Sequence, residues 1–167
     1  MYQIGDRVVY GMHGVCRVMD EEKRIVDRKQ VTYLALEPVG QSGSRFYVPT
    51  HNAAAMAKIR PMLTVEELDA LLSCCEICED GWIPDESQRK QMYRELISSG
   101  DQVRLAKVLR SLYRHRVDRQ AAGKKVHMCD DNFLRDAEKL LISEAAAVRD
   151  CDPDTAKQYI RSKLKAE

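Results

Sequence analysis

Few residues able to carry covalent chemistry stand together in this chain. The four histidines, His13, His51, His115 and His127, are scattered and none sits in a paired His-Cys context. There is no GxSxG, no phosphate-binding glycine loop and no HExxH. His13, in a turn, and His51, just after Pro49, read as structural. An enzyme is therefore not expected. Of the six cysteines (Cys16, Cys74, Cys75, Cys78, Cys129 and Cys151), only Cys75-Glu76-Ile77-Cys78 forms a CxxC. A structural zinc site wants two such pairs, and a thioredoxin-like site wants a strand and then a helix around the motif. Neither context is present, so reduced cysteines on or just after a helix are expected, with no metal and no disulfide role.

The chemistry left is that of binding. The single tryptophan, Trp82, lies in a loop with Gly81 and Pro84, between an acidic and a basic stretch. The net charge of +1, from 27 Lys and Arg against 26 Asp and Glu, conceals this segregation. Residues 63–81 carry six acidic and no basic residues, whereas residues 82–127 carry eleven basic and five acidic ones. Arg89, Lys90 and Arg94 fall about a turn apart on one expected helix, Arg110 and Arg114 at i, i+4 on the next, and Lys124 and Lys125 after it. Such a block can track phosphates without reading sequence. It can equally be the solvated face of a helical domain. A lone Trp, likewise, can be core or contact.

These residues need elements to hold them. Residues 1–62 read as β: strands around Val8–Tyr10 and Val15–Val18, a polar stretch over Glu21 to Asp27 that can turn, with Ile25 and Val26 marking a strand edge, a strand over Val31–Leu36, and a fourth over Arg45–Val48. A helical turn within Thr50–Ala57 and a return to the sheet at Ile59 complete this part. From Leu63 the period becomes helical. Thr64 and Glu67 form a capping box, and Leu68, Leu71 and Leu72 give a stripe that fades near Cys74–Cys78. A second helix runs from about Glu86 to Ser98 with Gly100 near C′. Asp101 caps a third, with Val103, Ala106, Leu109, Tyr113 and Val117 on one face. A fourth starts at Asp130 or Asp131, and Asp152-Pro153 opens the last. The fold class is α+β: a small SH3- or Tudor-like β-barrel (1–62), then an all-α domain of about five helices (63–167).

The opening GDxVVYxxHGV pattern, Gly5 to Val15, resembles that of the CarD/CdnL family of bacterial transcription regulators and of the RNA-polymerase-interacting domain of transcription-repair coupling factors. The segments Tyr33–Pro38 (YLALEP), Tyr47–Thr50 (YVPT), Ser99–Asp101 (SGD) and Ala137–Leu141 (AEKLL) fit the same family in the same order. The resemblance implies a non-enzymatic regulator without a cofactor. Its barrel would dock on the RNA polymerase β subunit by extending its sheet. Its helical domain would stabilise the open promoter complex by contacts that do not read sequence. Arg24 falls where relatives carry a polymerase-contacting Arg; the bland alternative is a solvated turn cation. Tyr47 replaces a second family Arg, and Arg45 lies two residues earlier on the same strand face. Trp82 corresponds in order to a Trp that wedges into the minor groove at the upstream edge of the bubble. Relatives place arginines directly after that Trp, whereas Ile83, Pro84, Asp85 and Glu86 stand here. The DNA-contacting set implied is Trp82, Arg89, Lys90, Arg94, Lys124 and Lys125.

No run of about 18 apolar residues is present, and Asp6 and Arg7 interrupt any leader-like pattern. A cytoplasmic monomer is expected, with the polymerase β subunit and promoter DNA as partners and no membrane contact. The rival reading is a barrel-plus-helices protein-interaction module without DNA contact; a redox or zinc protein built on Cys75 and Cys78 is a third.

Overall fold

The computed structural model describes residues 2–73 and 82–164. The chain divides into two compact units, Met1–Met62 and Leu63–Glu167. Cys74, Cys75 and Cys78 lie outside the described residues, as does the expected fading of the first long helix there.

The first unit is an antiparallel five-stranded sheet. Its strands are β1 (Arg7–Tyr10), β2 (Val15–Val26), β3 (Lys29–Pro38), β4 (Phe46–Pro49) and β5 (Ile59–Pro61), in the order β4-β3-β2-β1-β5. A short helix, α1 (Ala53–Met56), precedes β5, its N-terminus capped by the Asn52 side chain. Alternation along the strands places Val8, Cys16, Val18, Leu34, Leu36, Val48 and Ile59 in one core. Burial pushes the Cys16 thiol up to about 11, so it stays a protonated core group.

The polar stretch from Glu21, expected to turn before a strand edge at Ile25 and Val26, is strand as far as Val26. β2 runs through it, and ladder pairs continue to Arg24↔Val31 and Val26↔Lys29. The chain reverses at Asp27 and Arg28, whose φ values of 49° and 62° are left-handed. A two-residue turn of this kind usually announces itself by Asn-Gly or Asp-Gly; Asp-Arg does not. An irregularity between Val18 and Asp20 shifts the register within β2.

The second unit contains α2 (Val65–Ser73), α3 (Glu86–Ser99), α4 (Gln102–Ala121), α5 (Met128–Arg149) and α6 (Pro153–Leu164). The capping box forms as expected: Thr64 Oγ1 accepts from the Glu67 N–H, and Glu67 accepts from the Thr64 N–H. Asp85, Asp101 and Asp152 cap α3, α4 and α6, and Gly100 adopts the left-handed conformation that ends α3. α5 begins two residues earlier than the expected Asp130. The face of α4 also differs from expectation. Val103 and Val117 are 54% and 63% exposed, while Leu105, Val108, Leu109, Leu112 and Tyr113 form its core face. Their i, i+3, i+4, i+7, i+8 spacing is the true helical stripe. No helix among the described residues is long and apolar enough to cross a membrane.

Candidate functional site

In the β unit, three side chains from three strands meet on the outer face of the sheet. β2 contributes Arg24, β3 Tyr33 and β4 Tyr47. The Arg24 guanidinium carbon lies 3.9 Å from the Tyr47 ring centroid and 5.7 Å from that of Tyr33. Glu22, two residues away on the same strand face, accepts from Arg24 Nε and Nη2 at 3.0 and 2.7 Å. Arg24 is thus a strand residue held in a cation–π stack rather than a turn cation, and the bond to Glu22 raises its affinity for its proton. Both Arg24 and Tyr47 remain exposed. Arg45 lies just before β4, 3.7 Å from Glu37. β4 is short and forms one edge of the sheet, so its outer main-chain groups face away from β3.

In the helical unit, the N-termini of α3 and α5 and the C-terminal half of α4 bring Trp82, Arg89, His115 and Asp130 together. Trp82 is half-buried and packs on the core. Its ring stacks on His115, with centroids 4.2 Å apart and planes at 25°, and its Nε1–H points at Asp130 Oδ2, 3.4 Å away. The Arg89 guanidinium carbon lies 4.8 Å from the ring centroid.

Arg89 requires a correction. Its side chain is buried, its Nε donates to Asp130 Oδ1 at 2.7 Å, and its Nη1 donates to the carbonyls of Ile83 and Pro84 at 2.6 and 3.2 Å. It therefore presents no cation to a phosphate. The reason is periodicity: Arg89, Met92, Tyr93 and Leu96 fall at i, i+3, i+4, i+7, the buried face of α3. That spacing is readable in the sequence and places Arg89 inside. Arg110 is also engaged, its Nη2 donating to the Leu72 carbonyl near the end of α2 at 2.7 Å.

Asp130 reads in sequence only as a residue that could start a helix, and nothing local marks it as the centre of this cluster. It accepts from Arg89, from Tyr93 Oη at 2.8 Å and from Trp82. Burial alone would raise its pKa; the Arg89 and Tyr93 bonds outweigh that and hold the carboxyl below its ordinary value. Burial, together with the same carboxylate, pushes the Tyr93 hydroxyl up. Burial lowers the pKa of His115, whose Nε2 is buried without a hydrogen-bond partner.

The other expected cations are at the surface. Lys90 and Arg94 are exposed on α3, and Lys90 pairs with Glu86 one turn back. Lys124 and Lys125 are exposed in the α4–α5 connection. The turn that carries them is fixed: Gly123 is left-handed at 69°, its N–H bonds to the Gln120 carbonyl and that of Lys124 to the Arg119 carbonyl. Arg119 Nε donates back to the Lys125 carbonyl at 2.8 Å. Among the described residues no group of His, Cys, Asp and Glu is arranged to hold a metal ion.

Residues 2–62 match the family described as the CarD-like/TRCF RID domain, and residues 83–161 match that described as the CarD C-terminal domain. The second match begins one residue after Trp82. The chain is also similar to a protein of Bacillus subtilis (strain 168) named "Putative transcription factor YdeB". The two are 27% identical over 150 residues, covering 89% of this chain and 93% of that protein.

Proposed function

We propose, from the premise that the chain belongs to the CarD family of transcription regulators, that it binds the RNA polymerase β subunit through its β unit and stabilises the open promoter complex through its helical unit. The observation that carries the first half is the Arg24–Tyr47 stack beside edge strand β4. By the resemblance, Arg24 falls at the polymerase-contacting position of relatives, and it stands pre-ordered on an exposed sheet face. An edge strand supplies main-chain donors and acceptors for a partner strand, and the adjacent cation and ring supply selectivity. Arg45, beside Glu37, adds a second cation next to β4.

For the second half, Lys90, Arg94, Lys124 and Lys125 supply exposed positive charge in the helical unit. The resemblance implies contacts that do not read sequence, so the expected contacts are to phosphates. Trp82 supplies an aromatic surface. Its partly exposed indole is braced rather than loose, which lowers the entropy lost when it is set against an unstacked base step at the upstream edge of the bubble. The protein works as a monomer, without catalysis and without a cofactor. The test is co-purification with RNA polymerase, followed by competition with the isolated β subunit. Retention that the β subunit abolishes is expected. A full-length protein that never retains polymerase would overturn the reading in favour of an interaction module with other partners.

A further inference from the structure

We propose that Asp130 is the positioning residue for Trp82: its carboxylate, pinned by Arg89 and Tyr93, fixes the orientation in which the indole is presented. The inference deepens the proposed function and rests on it only for the DNA readout below.

The two carboxylate oxygens of Asp130 have different partners. Oδ1 accepts from Arg89 Nε at 2.7 Å and Tyr93 Oη at 2.8 Å, while Oδ2 faces the Trp82 Nε1–H at 3.4 Å. Arg89 and Tyr93 stand one turn apart on α3, so both donors reach Oδ1 from one rigid helix face. That anchors the carboxylate and leaves Oδ2 for the indole. Arg89 acts a second time, because its Nη1 holds the carbonyls of Ile83 and Pro84, the residues that directly follow Trp82. One buried ion pair thus fixes both the backbone after Trp82 and the acceptor for its N–H. His115 supplies a stacking surface for the same ring. The ring stays partly exposed while its polar edge faces the Asp130 carboxylate, an arrangement that suits a ring presented to a ligand in one orientation.

The chain has one Trp, so its indole N–H resonance and its fluorescence report Trp82 alone. Asp130→Asn is the discriminating variant. The Arg89 and Tyr93 donors claim the Asn oxygen, which turns the Asn NH2 toward the indole N–H and removes its acceptor. The expected result is a shifted indole resonance and easier acrylamide quenching in the free protein. Selectivity for forked over fully paired DNA falls at least about fivefold, with paired-duplex affinity unchanged. Tyr93→Phe removes one of the two donors that pin the carboxylate while the Arg89 bond and the acceptor remain, so it should move the indole signals less than Asp130→Asn does. Should Asp130→Asn not fold, the double variant Arg89→Met/Asp130→Leu removes the acceptor without stranding a buried charge, and the same rise in quenching is expected. Unchanged indole signals in the Asp130 variant, or a change in Tyr93→Phe larger than that in Asp130→Asn, would overturn the proposal. If Trp82→Ala keeps full selectivity for forked DNA, the DNA role of Trp82 fails instead, and the indole signals still decide the role of Asp130.

Discussion

Arg89 Nε lies 2.7 Å from Asp130 Oδ1, and each side chain is only 1% exposed. The pair spans 41 residues of sequence and ties the start of α3 to the start of α5. Removing either partner strands a buried charge. Arg89→Ala is therefore expected to cost about 3–5 kcal/mol of stability in urea unfolding, whereas Arg89→Met/Asp130→Leu, which strands no charge, should cost less. A single-variant loss below about 1 kcal/mol would mean that the pair is hydrated.

The same pair sets a pH dependence. Asp130 and Glu138 both have folded pKa values below their ordinary ones. At Glu138, burial would raise the value, but bonds from Arg161 and Tyr113 outweigh it. A depressed carboxyl stabilises the fold above its unfolded pKa and loses that contribution as pH falls through its folded pKa. Stability from these two groups should hold at neutral pH and decline below about pH 4. His115 acts earlier. Its folded pKa is lowered, so the unfolded chain takes up the proton first, and stability begins to fall below about pH 6.5. Thermal unfolding across pH checks both, and His115→Leu should remove its share of the upper step only.

Arg24→Glu should abolish the stack on Tyr47 and weaken polymerase binding, while costing less than about 1 kcal/mol of stability. Tyr47→Ala should weaken the same binding to a lesser degree. A pull-down against the β subunit is the check; full retention of Arg24→Glu would remove this residue from the interface.

Neutralising Lys90, Arg94, Lys124 and Lys125 together should weaken binding to all promoter sequences alike. The slope of log affinity against log salt should fall by about 0.9 for each phosphate that is no longer neutralised. An unchanged slope would place these cations off the DNA path.

Capping residues and strand alternation make most element boundaries legible. Thr64-x-x-Glu67, Asp101 and Asp152-Pro153 each act within a few residues, so sequence shows them directly. The β2–β3 ribbon is not legible beyond Asp20. Both its faces are largely exposed there, so no alternation marks it, and it is held by main-chain pairing. The meeting of Arg24 with Tyr47 depends on β4 lying beside β3 and β3 beside β2, which no local pattern states. Charge alone sends Arg89 to the surface, but its place on the Met92, Tyr93 and Leu96 stripe decides against charge. Trp82, which the sequence leaves open between core and contact, is partly buried on His115; the cluster joins loop, α3, α4 and α5, and only tertiary packing assembles it.

The most direct test is the lifetime of open promoter complexes formed by RNA polymerase with the parent protein, Arg24→Glu or Trp82→Ala. Trp82→Ala should fold with a loss of roughly 2 kcal/mol, less than the 3–5 kcal/mol of a fully buried Trp, and should still bind polymerase. The account predicts a lengthened lifetime with the parent, a fall of about fivefold or more with Trp82→Ala, and no lengthening with Arg24→Glu at concentrations where polymerase is not bound. A parent protein that leaves the lifetime unchanged while bound to polymerase would contradict it.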